Sequence, residues 1–338
     1  MSRKGQILVT GGAGYVGSVL IPKLLAQQYR VKVLDLYIYG QHSLQEVRND
    51  SKLEEIKGDI RDIKLVKDCL NDCDAVIHLA CISNDPSAEL DPELTQSINH
   101  DAFTPLLEAC IEKGIRRFIF ASSSSVYGIS DAPIVNELHP RVPVSAYNIS
   151  KAYCEDQIAK YNSKDFSIAT IRPATVCGYS PRLRLDLTVN ILTNHAFHKG
   201  EITVFGGDQY RPNLHIEDMA DLYIQVLNEP NSKVSGEIFN AGYQNKKVLD
   251  IALAVKDIFK ELYPDRPNIK ITRTPSDDIR SYRISSQKIE DTLNFKPKRT
   301  IEDAIVGLCK AFEERKVPDP FGSTYYYNLA RMKEIGLS

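Results

Sequence analysis

A doubly wound, parallel α/β sheet with a smaller second lobe is the fold that this sequence of 338 residues predicts. Short runs rich in β-branched residues alternate with helical patterns from the first residues onward. A glycine-rich turn follows the first of these runs, as it does in sheets that bind nucleotides. An apolar run near residue 240 indicates that the chain returns to the same sheet before it ends.

The predicted strands are short and apolar, and they occupy residues 6–10, 31–35, 75–79, 118–122 and 167–172, with the returning strand at 237–240. Between the first two strands, apolar residues recur at helical spacing from Val16 to Leu24, which predicts a helix with one face on the sheet. The rhythm breaks after Arg172. We therefore expect a nucleotide-binding domain over residues 1–176 with a return segment at about 209–243, and a second lobe over 177–208 and 244–338.

Bulk composition excludes several classes of protein. The 42 basic and 44 acidic residues leave a net charge of −2, so no overall field attracts nucleic acid or an anionic membrane. No apolar run approaches the ~20 residues of a membrane span, and the N-terminus lacks the apolar stretch of a signal peptide. Seven scattered cysteines are typical of buried, reduced thiols, which predicts a cytoplasmic protein without a metal site.

A dinucleotide site is predicted directly after the first strand. The run TGGAGYVGS at residues 10–18 places Gly11, Gly14 and Gly17 at the start of a helix, with Tyr15 and Val16 between them. The first glycine permits a tight turn, the second allows a pyrophosphate to approach the backbone, and the third allows close packing of the helix. Because the helix N-terminus also offers free N–H groups to an anion, the pattern predicts a Rossmann-type fold.

Asp35 predicts which nicotinamide dinucleotide is used. It closes the second strand, where a carboxylate accepts hydrogen bonds from both adenosine ribose hydroxyls and repels a 2′-phosphate. NAD is therefore the predicted cofactor. Asp59 is expected near the adenine amino group, although a plain loop carboxylate is the alternative. The remaining predicted cofactor contacts are Ile60, Leu79 and Ala80.

Tyr147 and Lys151 form the predicted catalytic pair. They are four residues apart, so on a helix they project from one face, one turn from each other. A phenol with a pKa of ~10 is a poor base at neutral pH, but a neighbouring ammonium and the nicotinamide charge both favour the phenolate and lower the pKa. The spacing alone also fits a solvated helix face. A catalytic role is favoured by the run FASSSSVYG at residues 120–128, which ends a strand at the ligand-binding edge of the sheet.

Together these motifs resemble the extended short-chain dehydrogenase/reductases, and within them the nucleotide-sugar epimerases and dehydratases. The resemblance spans nearly the whole chain: it includes the glycine loop, Asp35, the GDI turn, HLA, Asn99, SSSSVYG, the YxxxK pair and RPATVCG. It implies that NAD accepts a hydride from a nucleotide-diphosphate sugar. In this family scheme Tyr147 is the general base and Lys151 holds the nicotinamide ribose. Ser123 is the catalytic hydroxyl, and Asn99 completes a proton relay through water.

The two residues after Ser123 favour a reaction without dehydration. Resemblance to the 4,6-dehydratases would require an Asp-Glu pair where this chain has Ser124 and Ser125, and enzymes that epimerise ring carbons 3 and 5 carry a cysteine in place of Ser125. A 4-epimerase or a 4-dehydrogenase remains, and the run SPRLRLDLTVN at 180–190 resembles GDP-heptose 4-dehydrogenases. A 4,6-dehydratase, a keto-sugar reductase and a catalytically idle NAD-binding regulator are the alternatives.

Substrate contacts are implied mainly in the second lobe. Arg211 and Arg280 match family arginines that bind the nucleotide diphosphate, a task for which a guanidinium is suited. Thr175 stands where epimerases commonly have an asparagine, which argues against a galactose-type substrate. The other candidates for substrate binding are Ser124, Arg182, Arg184 and Asn190, with solvated loop positions as the alternative for the two arginines. The resemblance also implies a homodimer formed through the helices that bear Asn99 and Tyr147.

Overall fold

A computed structural model describes residues 5–130, 132–275 and 281–337 of the chain. The strands within these ranges are β1 (Gln6–Thr10), β2 (Arg30–Asp35), β3 (Leu53–Lys57), β4 (Ala75–His78), β5 (Arg117–Ala121), β6 (Ser167–Pro173), β7 (Thr175–Cys177), β8 (Glu201–Phe205), β9 (Tyr210–His215), β10 (Ile238–Ala241), β11 (Gln244–Lys247) and β12 (Lys270–Thr274). The helices are α1 (Gly17–Ala26), α2 (Ile63–Cys69), α3 (Asp85–Leu90), α4 (Pro92–Gln96), α5 (Phe103–Glu112), α6 (Ala146–Tyr161), α7 (Thr188–Lys199), α8 (Ile216–Asn228), α9 (Asn231–Val234), α10 (Val248–Leu262), α11 (Gln287–Leu293), α12 (Ile301–Glu313) and α13 (Asn328–Ile335).

Seven parallel strands in the order β10-β6-β5-β4-β1-β2-β3 form the central sheet, which confirms the predicted fold class. Its inner strands are buried along most of their length and mainly apolar because helices cover both faces. The strand predicted at 237–240 lies one residue later, as β10, and pairs with β6. The edge strand β3 is not predicted by the apolar runs, since Glu54, Glu55 and Lys57 interrupt its hydrophobic pattern.

The direction of the strand order reverses beside β1. The chain passes from β1 outward to β2 and β3, and then crosses back to β4 on the other side of β1. In such sheets a crevice opens at the carboxyl ends of the strands where the order reverses, and ligands bind there. The topology therefore places a binding cleft above β1, β2 and β4.

Two smaller sheets, β11-β9-β7 and β12-β8, lie outside the central one. Helix α7 packs against α10 and α12 around an apolar cluster of its own, whose members lie within residues 177–204 and 248–309. The predicted division of the chain into a first domain and a second lobe remains a prediction. Within the described ranges, none of the helices combines the length and the apolar character that crossing a membrane requires.

Candidate active site

A cavity of about 910 Å³ opens at the carboxyl ends of the central strands. Most of the predicted site residues line it: Gly11, Gly14, Tyr15, Val16, Gly17, Asp35, Asp59, Ile60, Leu79, Ala80, Ser123, Ser124, Tyr147, Lys151, Thr175, Arg182, Arg184 and Arg211. Two predicted residues, Asn99 and Asn190, are buried behind its wall. Arg280 lies outside the described residues. One cavity thus joins the predicted cofactor residues to the predicted catalytic residues.

The glycine loop has the geometry that a dinucleotide requires. Gly11 adopts a φ of +71°, and a Cβ there would lie 2.6 Å from the backbone nitrogen of Ala80. A Cβ at Gly17 would lie 2.3 Å from the carbonyl oxygen of Gly12, so the first turn of α1 can follow the loop only with glycine at this position. The N-terminus of α1 carries no side-chain cap. It therefore leaves backbone N–H groups for an anion, and these residues fit a pyrophosphate.

The Asp35 carboxylate is fixed at the end of β2. Its two oxygens accept hydrogen bonds from the backbone N–H groups of Ala13, at 3.0 Å, and Tyr37, at 2.8 Å. Burial raises the pKa of Asp35, and these two hydrogen bonds oppose that rise. Each carboxylate oxygen retains a lone pair toward the cavity, which suits ribose hydroxyls.

Asp59 lies on the same side of the cavity but is bound by a neighbouring arginine. The Arg61 backbone N–H donates to one oxygen at 2.8 Å, and its guanidinium donates to the other at 2.7 and 3.0 Å. Burial raises the pKa of Asp59, but the hydrogen bonds and charge of Arg61 lower it by more than burial raises it. The net pKa is therefore below its ordinary value. The structure thus gives Asp59 a local loop partner, and its contact with adenine stays a prediction.

The predicted catalytic side chains meet where β5 ends beside α6. Lys151 Nζ donates to the carbonyl oxygen of Ala121 at 2.6 Å and lies 5.9 Å from the centre of the Tyr147 ring. The Ser123 hydroxyl lies close enough to the Tyr147 phenol to lower its pKa. Helix α6 starts one residue before Tyr147 because Ser145 caps it, accepting a hydrogen bond from the N–H of Asn148. The cap therefore sets where the tyrosine enters the cavity.

The net pKa of Tyr147 corrects one expectation from the sequence. Burial raises the pKa to about 12, and the charge of Lys151 and the nearby Ser123 hydroxyl lower it only in part. The predicted direction of the lysine effect is right, but desolvation of the phenolate outweighs it. Lys151 itself has a raised pKa: burial lowers it, but the neighbouring Cys81 and Tyr147 raise it more. The lysine is therefore a fixed positive charge at neutral pH.

We expect Tyr147 to remain protonated at pH 10 in protein that carries no NAD. Addition of NAD⁺ should move its ionisation to lower pH, because the nicotinamide charge favours the phenolate. An ultraviolet difference titration of the wild type against Tyr147→Phe would isolate this one phenol among the 17 tyrosines. Ionisation of Tyr147 well below pH 10 without NAD would show that burial does not dominate.

Asn99 lies in a π-helical turn, Ser97–Asp101, behind the catalytic helix. Its side-chain oxygen accepts the N–H of Ile82 at 2.8 Å, and its Nδ2 donates to the carbonyl oxygen of Ile82 at 2.9 Å. Single π turns of this kind often occur at functional sites. The amide therefore fixes the loop after β4 that borders the cavity, while the proton relay assigned to Asn99 stays a prediction.

The residues after Ser123 present hydroxyl groups to the cavity. Ser125 Oγ donates to the side-chain oxygen of Asn148 at 2.5 Å, and Ser124 Oγ lies 3.2 Å from the hydroxyl of Tyr282. Neither position offers a carboxylic acid or a carboxylate beside the substrate space. Ser124 and Ser125 therefore add no acid or base to Tyr147 and Lys151 at this edge.

Asn190 has a structural position instead of the substrate contact that the sequence predicts. It is completely buried, and its oxygen accepts the N–H of Gly178 at 3.0 Å. Its Nδ2 donates to the Tyr15 hydroxyl at 3.0 Å and to the carbonyl oxygen of Arg184 at 2.8 Å. All its polar atoms are thus used within the protein, and Asn190 holds the 178–184 segment against the glycine loop.

Arg184 does line the cavity, and it is paired within the protein. Its Nε donates to Asp186 at 2.9 Å, and Asp186 also accepts from Asn84 at 3.2 Å. Asn84 has a φ of +85°, a conformation that non-glycine residues rarely adopt and that often marks functional sites. Other residues on the cavity wall carry polar groups for which the sequence predicts no separate role, among them Tyr39, Cys81, Asn84, Asp85, Asp186, Tyr223, Tyr282, Tyr327 and Asn328.

The comparison with known proteins identifies the family. Residues 7–242 match the model of the NAD dependent epimerase/dehydratase family. The chain belongs to this family. The membership confirms the predicted resemblance and the prediction of NAD as the cofactor, and it makes the protein an enzyme of this group.

Relatives and solved structures agree with this assignment. The chain is 28% identical over 328 residues to UDP-glucose 4-epimerase of Lactobacillus helveticus, covering 90% of this chain and 96% of that one. It is also 28% identical over 331 residues to dTDP-glucose 4,6-dehydratase 1 of Escherichia coli K12, covering 89% and 90%. The structure of UDP-glucuronic acid 4-epimerase from Bacillus cereus, in complex with UDP-glucuronic acid and NAD, matches with a TM-score of 0.80 at 26% identity, covering 92% and 99%.

Proposed function

We propose that this enzyme oxidises carbon 4 of a nucleotide-activated sugar and acts as a 4-epimerase. The observation that carries the proposal is the catalytic edge of the cavity, where Tyr147, Lys151 and Ser123 are followed by Ser124 and Ser125. The first three supply what is needed to remove the proton of a sugar hydroxyl while hydride leaves the carbon that bears it. The two serines do not supply the second acid and base that loss of water needs.

Each side chain has a defined task in this scheme. When bound, NAD supplies the hydride acceptor. The Tyr147 phenolate takes the proton of the C4 hydroxyl while Ser123 hydrogen-bonds to the reacting oxygen. Lys151, held by the carbonyl oxygen of Ala121, stabilises the phenolate by its charge. A base placed in this way contributes about 10²- to 10⁴-fold to the rate.

Among the reactions named for similar proteins, dehydration is the main alternative to epimerisation. One similar protein is a dTDP-glucose 4,6-dehydratase, and others are UDP-glucose 4-epimerases. The geometry favours the epimerases, because the hydroxyl of Ser124 faces Tyr282 and that of Ser125 is bound to Asn148. Neither group can donate a proton to a leaving hydroxyl as a carboxylic acid would.

A 4-dehydrogenase is the second candidate. It is supported by the 180–190 run, which places Arg182 and Arg184 on the cavity wall, and by Thr175 at the position where epimerases commonly have an asparagine. The chemistry at Tyr147 is the same in both candidates. They differ in whether the hydride returns to the opposite face of the 4-keto sugar.

We expect incubation with a panel of UDP-, GDP-, CDP- and dTDP-sugars to yield a stereoisomer of unchanged mass for at least one of them. Chromatography or NMR would resolve the stereoisomer, while mass spectrometry and absorbance at the NADH band would report any change in mass or accumulation of reduced cofactor. Loss of two hydrogens would establish the dehydrogenase instead. A product lighter by one water would contradict the argument from Ser124 and Ser125.

The proposal also includes a cellular location, supported by the cysteines, and an oligomeric state, implied by the resemblance. All seven cysteines are free thiols, which supports a reducing, cytoplasmic location. The homodimer implied through the helices bearing Asn99 and Tyr147 stays a prediction.

A further inference from the structure

Arg182 lies on the cofactor side of the cavity, although the sequence analysis places it with the substrate. Its backbone N–H donates to Ser18 Oγ, in the first turn of α1, at 3.3 Å. Its guanidinium carbon lies 3.6 Å from the centre of the Tyr39 ring, a short distance beyond Asp35 along the chain. Both anchors belong to the first strand-helix-strand unit, which in this fold binds the ADP half of a dinucleotide.

The Arg182 guanidinium is buried and lacks a carboxylate partner among the described residues. Only 3% of the residue is exposed, and the buried Nε has no hydrogen-bond partner. Nη2 donates to the neutral side-chain oxygen of Asn328. The neighbouring Arg184 differs, because Asp186 neutralises it at 2.9 Å. A buried cation without a counter-ion is costly, so the position is suited to a ligand that brings negative charge.

The pKa of Arg182 agrees with this geometry. Burial lowers the pKa to about 10, and the nearby charge of Arg184 adds to that effect. Tyr39, Asp186 and Asp35 oppose it only in part. The site therefore holds a guanidinium whose positive charge is poorly compensated by the protein itself.

A segment near the C-terminus holds this arginine in place. Asn328, at the start of α13, receives the Arg182 hydrogen bond and donates through Nδ2 to the carbonyl oxygen and hydroxyl of Ser83, at 3.2 and 3.0 Å. One turn later, Arg331 Nε donates to the carbonyl oxygen of Ile38 at 2.5 Å. Helix α13 thus bridges the loop after β2 and the loop after β4, and so spans the cleft above β1.

We infer that Arg182 binds a phosphate of the ADP half of NAD, and that Tyr39 and Asn328 hold its guanidinium in position for this contact. The nucleotide sugar is the less suitable partner, because the reacting sugar must lie beside Tyr147 and Ser123, whereas Arg182 is anchored beside α1 and Tyr39. The inference concerns the cofactor of the family and does not depend on which sugar is the substrate.

Calorimetric titration of the full chain, freed of nucleotide, would test the inference. We expect Arg182→Met to weaken the binding of NAD and of ADP-ribose about tenfold or more, as loss of a charge-assisted hydrogen bond to a phosphate requires. Binding of UDP, GDP and dTDP, used as probes of the sugar-nucleotide site, should change less than about twofold. Arg116→Met is the matched control, since that arginine is 74% exposed and should leave every affinity unchanged.

Two variants keep the test decisive if Arg182→Met does not fold. Asn328→Ala retains the guanidinium but removes its support, and we expect NAD to dissociate several-fold faster from it. Arg182→Lys retains the charge and should recover part of the lost affinity. Unchanged NAD binding in all three variants would overturn the inference. A loss confined to the nucleoside diphosphates would assign Arg182 to the substrate, and a loss confined to NADP would assign it to a 2′-phosphate; either result would overturn the inference as well.

Discussion

Replacing Tyr147 with phenylalanine should lower turnover of the nucleotide sugar by about 10²- to 10⁴-fold. The change removes one oxygen, leaves the ring packed against its apolar neighbours, and takes away the group proposed to accept the C4 hydroxyl proton. Because the ring remains, we expect the thermal midpoint and the affinity for NAD to change little. Steady-state kinetics, thermal unfolding and NAD titration of the same preparation would measure all three.

The control for this variant is Tyr161→Phe, on the same helix. The Tyr161 hydroxyl bonds to Glu108 at 2.9 Å at the surface and does not border the cavity. It should retain full activity. Comparable activity in Tyr147→Phe and the wild type would show that Tyr147 is not the base and would contradict the proposed scheme.

Replacing Glu155 with alanine should lower the free energy of unfolding by about 3–5 kcal/mol, the range for breaking a buried ion pair. Its side chain is 2% exposed and accepts two hydrogen bonds from Arg172, at 2.5 and 2.9 Å, and one from Ser122 at 2.5 Å. The variant would leave the Arg172 cation buried without its carboxylate. Denaturant unfolding monitored by circular dichroism would measure the loss.

The adjacent Asp156 provides a matched control. It is 58% exposed and pairs with Arg141 at 2.5 Å on the surface. Asp156→Ala should cost about 1 kcal/mol or less, as exposed pairs do. Equal losses in the two variants would contradict the inference that the buried pair of Glu155 and Arg172 ties α6 to β6.

The parts of the fold that the sequence predicts are those with strong local patterns. Inner strands such as β1 are buried throughout and mainly apolar because both of their faces are covered, so a run of apolar and β-branched residues locates them within a residue. The edge strand β3 is half-exposed and has three charged residues among five, so its apolar signal is lost among the surrounding polar positions. The strand is not predicted because a short stretch of sequence does not show that it will lie at the edge of the sheet.

In the site too, residues whose roles depend on local spacing are predicted, and residues whose partners are distant in the sequence are not. Gly11, Tyr147 and Lys151 are predictable because their tasks depend on spacing within one turn or one helix. Asn190 is mistaken for a substrate residue because its partners, Tyr15 and Gly178, come together only in the folded chain.

Burial and long-range contacts explain the other differences. The raised pKa of Tyr147 depends on burial by several elements, which the sequence does not display. Asn328 contacts Ser83 across 245 residues of chain, and no motif marks either residue.

The central claim is that hydride leaves carbon 4 of the sugar for NAD while Tyr147 takes the proton. A nucleotide sugar that is active in the panel, carrying deuterium at carbon 4, would test it most directly in a single turnover quenched with alkali, in which the reduced cofactor is stable. We predict that the reduced cofactor recovered from the wild type is heavier by one mass unit, and that Tyr147→Phe yields almost none. Reduced cofactor without deuterium, or label that enters it from another ring position, would contradict the account.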